Sequence, residues 1–409
     1  MDTFLDNSLF RNVYCHIAGV SEGCAGRGYD GGLLPGGWEW VAFMLTGLVI
    51  MGVLVNGVLG GVLMLTWAER RLLGRFQGRQ GPNRWGPYGL LTPLADAIKT
   101  MTKEDVVPAA ADRFVFNLAP VIMLVPVLLV FAVIPLGSGT FLADLNVGIL
   151  FVVAVTSTNA LAILMAGWGS ANRYGMFGGM RAVAMLLSYE IPMAISIVGV
   201  LLLSGSLSLV RVVEVQDVPF ALVMPLGFLV FVLASIAEIN RTPFDITEAE
   251  SELVAGYHTD YSGMKFGLFY LAEFAAAIAA AGIIVTLFLS GWRGFSWLPS
   301  HMWFFLKLSA VLFGIIWLRA TWPRLRIDQI LALAWKGLFE LTLVNLVAMA
   351  ILVAIWPEPT TEQLWIMAGV NWGVFFVAVY GVGRLLGPRP HPSRAAAAHR
   401  SAATGEGTA

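Results

Sequence analysis

The sequence predicts an all-α polytopic membrane protein with about nine transmembrane helices. Hydrophobic residues make up 58% of the 409 residues and charged residues only 12%, and the mean hydropathy is +0.77. Apolar windows of about 20 residues, the length that a helix needs to cross ~30 Å of hydrocarbon, recur along the chain. Arginine and lysine gather in a few loops between these windows, as they do in multi-pass proteins.

Nine windows satisfy this length criterion. They lie near residues 40–67, 114–135, 145–168, 183–205, 218–238, 264–290, 302–320, 336–356 and 363–384. The loop after the first window, AERRLLGRFQGRQGPNRW, is strongly basic, and loops that stay in the cytoplasm are enriched in Arg and Lys. Alternation from this loop predicts an N-terminus outside and a C-terminus in the cytoplasm.

Polar segments divide the rest of the chain. In LLTPLADAIKTMTKED, Leu91, Leu94, Ile98 and Met101 share one helical face, which predicts an amphipathic helix lying in the membrane interface or packed on neighbouring spans. We expect four regions: an N-terminal outer segment (1–37), an eight-helix membrane core (38–356), an additional transmembrane helix (357–386) and a disordered cytoplasmic tail (387–409). Residues 1–37 lack the charged and apolar regions of a cleaved signal peptide.

Composition argues against several functions. The net charge of −1 indicates no nucleic-acid partner. The five histidines and the two cysteines show no metal-ligand spacing, so we expect no metal and no redox centre on this chain. Cys15 and Cys24 are either unpaired thiols or, on an oxidising side of the membrane, a disulfide.

Ionisable residues inside the windows are candidates for function, because burying a charge in a membrane costs about 3 kcal/mol on insertion scales. Glu190, Glu238 and Glu273 could hold and pass protons, since burial and neighbouring acids both favour the protonated carboxyl. Lys307 and Glu340 are weaker candidates. For the acids, pairing with a basic neighbour that only fixes helix packing is the competing interpretation, and a packing role is likewise the alternative for Lys307. For Glu69, next to Arg70 and Arg71, a structural ion pair is preferred.

The segment EINRTPFDITEAESELVAGYHTDYSG, residues 238–263, concentrates six carboxylates against one arginine. Pro243 ends the helix before it. Thr247 and Glu250 form a capping box, which predicts a short helix in this loop. Glu248 and Glu252 then stand four residues apart on one face, a repulsive arrangement that requires compensation.

Three motifs together carry a family resemblance. AERRLLGRFQGRQGPNRWGPYGLLTPLADAIK, the acidic segment and WPRLRIDQI occur in the order found in the membrane-embedded H subunit of proton-pumping NADH:quinone oxidoreductase, respiratory complex I, and the likeness runs from about residue 38 to 340. The resemblance implies a subunit at the junction with the hydrophilic arm. Quinone would be its substrate, whereas NADH, FMN and iron–sulfur clusters would be held by partner subunits.

The resemblance also implies site residues. The amphipathic helix and the first and sixth spans would frame the quinone entrance. The quinone passage would include Arg71, Asp96, Glu238, Arg241, Asp245, Glu248, Glu250 and Glu252. Glu190, Glu238 and Glu273 would relay protons, and Arg319, Arg324, Arg326 and Asp328 would contact the hydrophilic arm. No family role transfers to the two ends of the chain.

The resemblance further implies catalysis only within the complex, in an energy-transducing membrane such as the bacterial plasma membrane, with lipid and other complex I subunits as partners. Two alternatives remain open: the homologous subunit of a hydrogenase-type ion-pumping complex, and a stand-alone ion transporter.

Overall fold

A computed structural model describes residues 8–18, 39–246, 255–295, 297–357 and 359–386 of the chain. In the described residues, fourteen α-helices follow one another. They are α1 (Ser8–Ala18), α2 (Glu39–Phe76), α3 (Thr92–Thr102), α4 (Arg113–Val133), α5 (Gly148–Gly169), α6 (Arg173–Ser204), α7 (Leu209–Val215), α8 (Phe220–Val223), α9 (Pro225–Glu238), α10 (Gly263–Phe288), α11 (Ser300–Thr321), α12 (Ile327–Leu333), α13 (Phe339–Ile355) and α14 (Thr361–Leu386). A π-helical turn, Ala334–Leu338, joins α12 to α13.

The predicted fold class is confirmed. Within the described ranges, eight helices are long and apolar enough to cross a membrane, α12 and α13 counting as one. The chain is a multi-pass membrane protein. The fifth predicted span is not one continuous helix. It is broken into α8 and α9, and the 14 residues of α9 extend only about 21 Å.

The break in the fifth span has a local cause. Met224 leaves the helical region at φ −130° and ψ 71°, and Pro225 after it has no N–H to donate. The carbonyl of Val223 is satisfied instead by the side-chain amide of Asn371 on α14, at 2.8 Å. Asn371 is buried, so the ninth predicted span is packed against the broken helix.

α10 lies at the centre of the bundle, with most of its apolar window buried, whereas less than a quarter of the windows of α2, α11 and α14 is buried in this chain alone. This contrast is expected of a membrane protein, because lipid covers apolar side chains as well as protein does. The end of the bundle that carries Arg70, Arg241, Arg319 and Arg324 is called the basic end below.

α3 occurs where the amphipathic helix is predicted. Its apolar residues Leu94, Ile98 and Met101 are 47%, 55% and 66% exposed, so the chain itself does not cover this face. The other side of α3 rests on α10 at Gly267, where an added Cβ would lie 3.5 Å from Thr100 Oγ1.

Several predictions concern residues outside the described ranges. The short capped helix with Thr247, and the proposed tail 387–409, belong to this group. Most of segment 1–37 does too, but α1 packs through Phe10 and Tyr14 on the start of α2. Cys15 on α1 is buried and disulfide-bonded, so it is not a free thiol.

Two intramembrane candidates have structural environments. The ammonium group of Lys307 donates to the carbonyls of Leu289, Gly291 and Arg293 at 2.6, 3.0 and 2.6 Å, so it caps the C-terminal end of α10. Glu340 is exposed at the start of α13. Lys307 therefore has a packing role, which it fulfils through backbone carbonyls. Pro192 lies inside α6, which continues through it without interruption.

Gly178→Ala should destabilise the protein. A Cβ at Gly178 would lie 2.7 Å from the carbonyl carbon of Gly256, in the 3₁₀ turn Gly256–His258 that packs on α6. We expect a loss of about 1–3 kcal/mol, the usual cost of overpacking. Gly52→Ala is the matched control, because nothing lies within 4 Å of the position that its new methyl group would occupy, and both glycines are inside helices. Equal melting temperatures of the two variants in the purified complex would contradict this packing argument.

Candidate functional site

A buried charge cluster lies at the basic end, between α2, α9, α10 and α11. The Glu69 side chain is 8% exposed and accepts a hydrogen bond from Arg241 at 3.0 Å. Arg319 on α11 pairs with the same carboxylate oxygen. Glu69 therefore does not pair with the adjacent Arg70 and Arg71, as its sequence position suggested, but with two arginines far along the chain. The local prediction was wrong because Arg70 and Arg71 point to other partners.

Arg241 is the centre of this cluster. Its side chain is only 6% exposed, and its Nε lies 3.3 Å from Glu273 Oε1 on α10. The guanidinium carbon lies 4.2 Å from the centre of the Phe274 ring, a cation–π contact. Two carboxylates and an aromatic face thus surround a charge that would be very costly to bury alone.

The chain after Arg241 is held against the loop before α12. The backbone N–H of Leu325 donates to the carbonyl of Pro243 at 3.1 Å. Arg324 donates to Asp245 at 2.7 Å, and the Asp245 side chain is 4% exposed. Phe244 is fully buried and packs against Tyr189 of α6. The start of the acidic segment is therefore a fixed structure, not a solvated loop.

Glu190 and Glu238 form a second group, one layer deeper in the bundle. Both lie next to hydroxyl residues of α5. Ser157 donates to Glu190, whereas Thr156, whose hydroxyl donates to the carbonyl of Val153 at 3.1 Å, adjoins Glu238. Glu238 is close enough to Glu190 for the two carboxylates to repel each other. The structure thus brings together two of the three residues predicted to relay protons.

α3 is attached to α2 by an ion pair. Arg70 donates to Asp96 at 2.5 Å, and Lys99 donates to the other oxygen of Asp96 at 2.8 Å. Partial burial tends to raise the pKa of Asp96, but the hydrogen bonds from Lys99 and Arg70 outweigh it and hold the pKa below its usual range. The Tyr270 side chain of α10 lies close enough to Arg70 for an electrostatic interaction, so the three helices meet at this point.

Arg71 takes part in a different contact. Its guanidinium donates to the carbonyl of Tyr88 at 2.9 Å and lies over the Tyr88 and Trp67 rings, at 4.6 and 5.8 Å from their centres. It therefore holds the basic loop after α2 rather than neutralising an acid.

Of the remaining predicted site residues, those that the structure describes lie outside these groups. Glu248, Glu250 and Glu252 lie outside the described residues. Arg326 and Asp328 are exposed at the start of α12, and the Arg326 N–H donates to Gln329 Oε1 at 3.2 Å. Among the described residues, no group of three or more His, Cys, Asp or Glu side chains could hold a metal ion.

Sequence reasoning missed the hydroxyl residues that lie beside the glutamates. The run Thr156, Ser157, Thr158 and Asn159 interrupts an otherwise apolar window, and a polar run inside a span was the available signal. For Glu69, the central role could not be read from the sequence, because both of its partners are more than 170 positions away.

Comparison with known proteins identifies the family. A family model described as NADH dehydrogenase matches residues 48–350. The H subunit of NADH-quinone oxidoreductase from Dehalococcoides mccartyi (strain CBDB1) is 53% identical over 329 residues, which cover 80% of this chain and 92% of the relative. The chain belongs to the H-subunit family of NADH-quinone oxidoreductase. The protein of the same name from Geobacillus kaustophilus (strain HTA426) is 46% identical over 324 residues, 78% of this chain and 96% of the relative.

Membership of the H-subunit family has two consequences. The resemblance recognised from the three motifs is confirmed, and the hydrogenase-type and stand-alone transporter alternatives are not favoured. The charge cluster and the Glu190–Glu238 group both lie inside the matched range 48–350, whereas α1 and α14 lie outside it.

Glu69→Gln should strongly destabilise the assembled subunit. It would leave Arg241 and Arg319 facing each other without the carboxylate that they share, and removing one partner of a buried ion pair costs about 3–5 kcal/mol. The measurement is the thermal unfolding of the purified complex, with the amount of the chain in the membrane as a second readout. Glu362→Gln, an exposed acid in the first turn of α14, is the control. Identical unfolding of the two variants would rule out a central role for Glu69.

His258 should make stability fall in mildly acidic solution. Burial lowers its pKa to about 4, although the Asp245 carboxylate opposes the shift. An unfolded histidine titrates near pH 6.5, so this contribution is fully present above about pH 6.5 and is lost progressively as the pH falls toward 4, where only the unfolded chain binds the proton. His258→Gln should reduce the difference in melting temperature between about pH 7.5 and pH 5. An unchanged difference would show that His258 is not buried in its neutral form.

Proposed function

We propose that this chain is the membrane subunit of an NADH-quinone oxidoreductase that forms part of the quinone passage at the junction with the hydrophilic arm. In this role, it couples quinone reduction to proton translocation. The observation that carries the proposal is the cluster in which the buried residues Glu69 and Arg241 contact Arg319 and Glu273. It lies beside a second, partly buried pair of acids, Glu190 and Glu238.

A quinone needs apolar surface for its tail, and the bundle offers a groove that ends at the charge cluster. The groove lies between α2 and α11, with α10 behind it, and has a cavity volume of about 830 Å³. Leu65, Leu312 and Ile316 line both this groove and a small cavity whose other walls include Glu69, Arg241 and Arg319. An apolar tail in the groove would therefore direct a polar headgroup toward the charges.

The electrostatics of the cluster suit a reaction that changes charge. Reduction of a quinone to a quinol takes up two protons and creates transient negative charge. A low-dielectric site in which acids and arginines are already balanced responds strongly to an added charge. Arg241 would then attract the negatively charged headgroup, and its ion pairs with Glu69 and Glu273 would weaken as a result.

The proton relay would continue inward from the cluster. Glu238 lies at the end of α9, three residues before Arg241. Glu190 on α6 lies close to Glu238. A change in the charges around Arg241 would alter the proton affinity of Glu238. The repulsion between Glu238 and Glu190 would then alter the proton affinity of Glu190 as well. Glu248, Glu250 and Glu252, together with Arg71, Asp96 and Asp245, would complete the charged wall of the passage.

The hydrophilic arm would bind at the basic end. Arg326 and Asp328 are exposed there, whereas Arg319 and Arg324 are already engaged with Glu69 and Asp245. The first two are thus the better candidates for direct contact, and the last two would act by holding the loop. The basic end would face the cytoplasm, and NADH, FMN and iron–sulfur clusters would belong to partner subunits.

Glu238→Gln should reduce coupled activity while leaving assembly intact. The amide keeps the size of the carboxyl but cannot exchange a proton, so we expect proton pumping driven by NADH in membrane vesicles to fall about tenfold or more, the range in which removal of a positioned acid–base group acts. Glu190→Gln should give the same defect.

Glu214→Gln is the control for both variants, because Glu214 is an exposed acid that pairs with Arg211 far from the basic end. Normal pumping and normal quinone reduction in both Glu238→Gln and Glu190→Gln would refute the proposed relay.

A further inference from the structure

α14 lies beyond the range that matches the family model, and it packs on the bundle through one narrow stripe. Its buried residues Leu364, Met367, Ala368 and Asn371 are spaced by three, one and three positions, as residues on one face of a helix are. The remaining faces expose large apolar side chains such as Val377, which lipid would cover. Asn371 is thus a polar residue inside an apolar contact stripe.

Asn371 meets the break in the fifth span. α8 ends at Val223, and the last carbonyls of a helix have no donor within that helix. Asn371 Nδ2 donates to the Val223 carbonyl at 2.8 Å, and the residue is 3% exposed. No water is present in the hydrocarbon core to replace this donor, so an unpaired carbonyl there would be costly. The hydrogen bond therefore allows an interrupted helix to persist inside the membrane.

The first turn of α9, directly after the break, is packed closely against α13. A Cβ added at Gly227 would lie 2.8 Å from Nδ2 of Asn345, which is itself 3% exposed. One turn further along α13, the sulfur of Met349 lies 3.2 Å from Asn371 Nδ2. α13 and α14 thus both contact the chain where the fifth span is interrupted.

The other end of α9 carries groups of the proposed site. α9 ends at Glu238, and Arg241 follows three residues later. A helix of this length is a rod of about 21 Å, so a tilt of about 5° at the break would move its far end by about 2 Å. A displacement of about 1 Å at a reacting group can lower a rate about a hundredfold. The geometry of the break therefore matters for chemistry at the opposite end of α9.

We propose that Asn371 is a positioning residue for the proton relay. By holding the Val223 carbonyl, it fixes the point from which α9 starts, and it thereby sets where Glu238 and Arg241 lie. The inference rests on the proposed function of Glu238. Asn371 acts through α9 and is not itself a member of the relay.

A positioning role differs from a general contribution to stability. A single hydrogen bond between membrane helices contributes little to stability on average. Loss of the Asn371 amide should therefore leave the complex assembled. The Val223 carbonyl would then need another donor, and α9 would shift as the break rearranges to supply one.

The first experiment compares Asn371→Leu and Asn371→Gln in the whole complex. Asn371→Leu removes the donor, and NADH-driven proton pumping should fall about tenfold, which corresponds to ~1.4 kcal/mol. Asn371→Gln keeps an amide donor and should stay within about threefold of wild type, a change of ~0.6 kcal/mol. Equal pumping in the two variants would overturn the proposal. Asn371→Ala replaces Asn371→Leu if the larger apolar side chain prevents assembly, and failure of both to assemble would also overturn it.

Asn56→Leu is the matched control. The Asn56 amide also donates to a carbonyl at 2.8 Å, but this carbonyl belongs to Gly52, one turn earlier in α2. The helix itself provides Gly52 with a backbone donor, so the carbonyl stays satisfied when the amide is removed. Asn56→Leu should pump at the wild-type rate, and a defect as large as that of Asn371→Leu would count against a special role of the break.

A double-mutant cycle tests whether Asn371 acts through Glu238. Asn371→Leu added to Glu238→Gln should lower pumping by less than about a further twofold, because effects that pass through one group are not additive. Two independent, fully multiplied losses would show that Asn371 supports the bundle in general, and they would refute a positioning role.

A map of the assembled Asn371→Leu complex separates this inference from the proposed relay. We expect the Glu238 end of α9 to be displaced by about 1 Å or more from its wild-type position, the scale on which a reacting group loses activity. An undisplaced α9 would overturn the proposal. A displaced α9 together with normal pumping in Glu238→Gln would instead refute the relay and support the hold of Asn371 on α9.

Discussion

The architecture depends on the neutralisation of one buried guanidinium. Arg241 is almost completely removed from solvent at the end of the short helix α9, and an isolated charge could not be tolerated there. Glu69 and Glu273 make it acceptable, and because they belong to α2 and α10, the requirement fixes these helices against α9. Arg319 adds α11 to the same point. The need to neutralise Arg241 thus fixes the arrangement of four helices.

The same demand explains why function is placed beside the cluster. Helices that are held together by charge can respond to charge, whereas helices that pack only through apolar surface have nothing to sense. Glu190 and Glu238 extend the polar region into the bundle, next to two hydroxyl residues of α5. A change of charge in the cluster around Arg241 therefore acts on acids that lie nearby. The apolar groove along α2 meets this polar region at Leu65 and Ile316. A lipid-soluble substrate and a proton path can therefore share one end of the bundle.

Much of the fold could be predicted, because a membrane imposes a strong length and hydropathy rule on each helix. The windows at 114–135 and 145–168 differ little from α4 and α5, and α3 lies where Leu91 to Met101 indicated an amphipathic helix. The break at Met224 was missed, since Pro225 near the start of an apolar run is ordinary at a helix N-terminus. Arg70 and Arg71 were assigned to the nearest acid, whereas their real partners are Asp96 and the Tyr88 carbonyl.

By itself, the sequence determined the class of the protein, the approximate spans, the acids inside the membrane and the family, because each follows from local hydropathy or from an unbroken motif. Only the tertiary structure decided which acid serves which base. Glu69 is joined to Arg241 and Arg319 across 172 and 250 positions. Such pairings depend on how whole helices pack, and helix packing in a membrane is settled by the sum of many weak contacts that no short segment encodes.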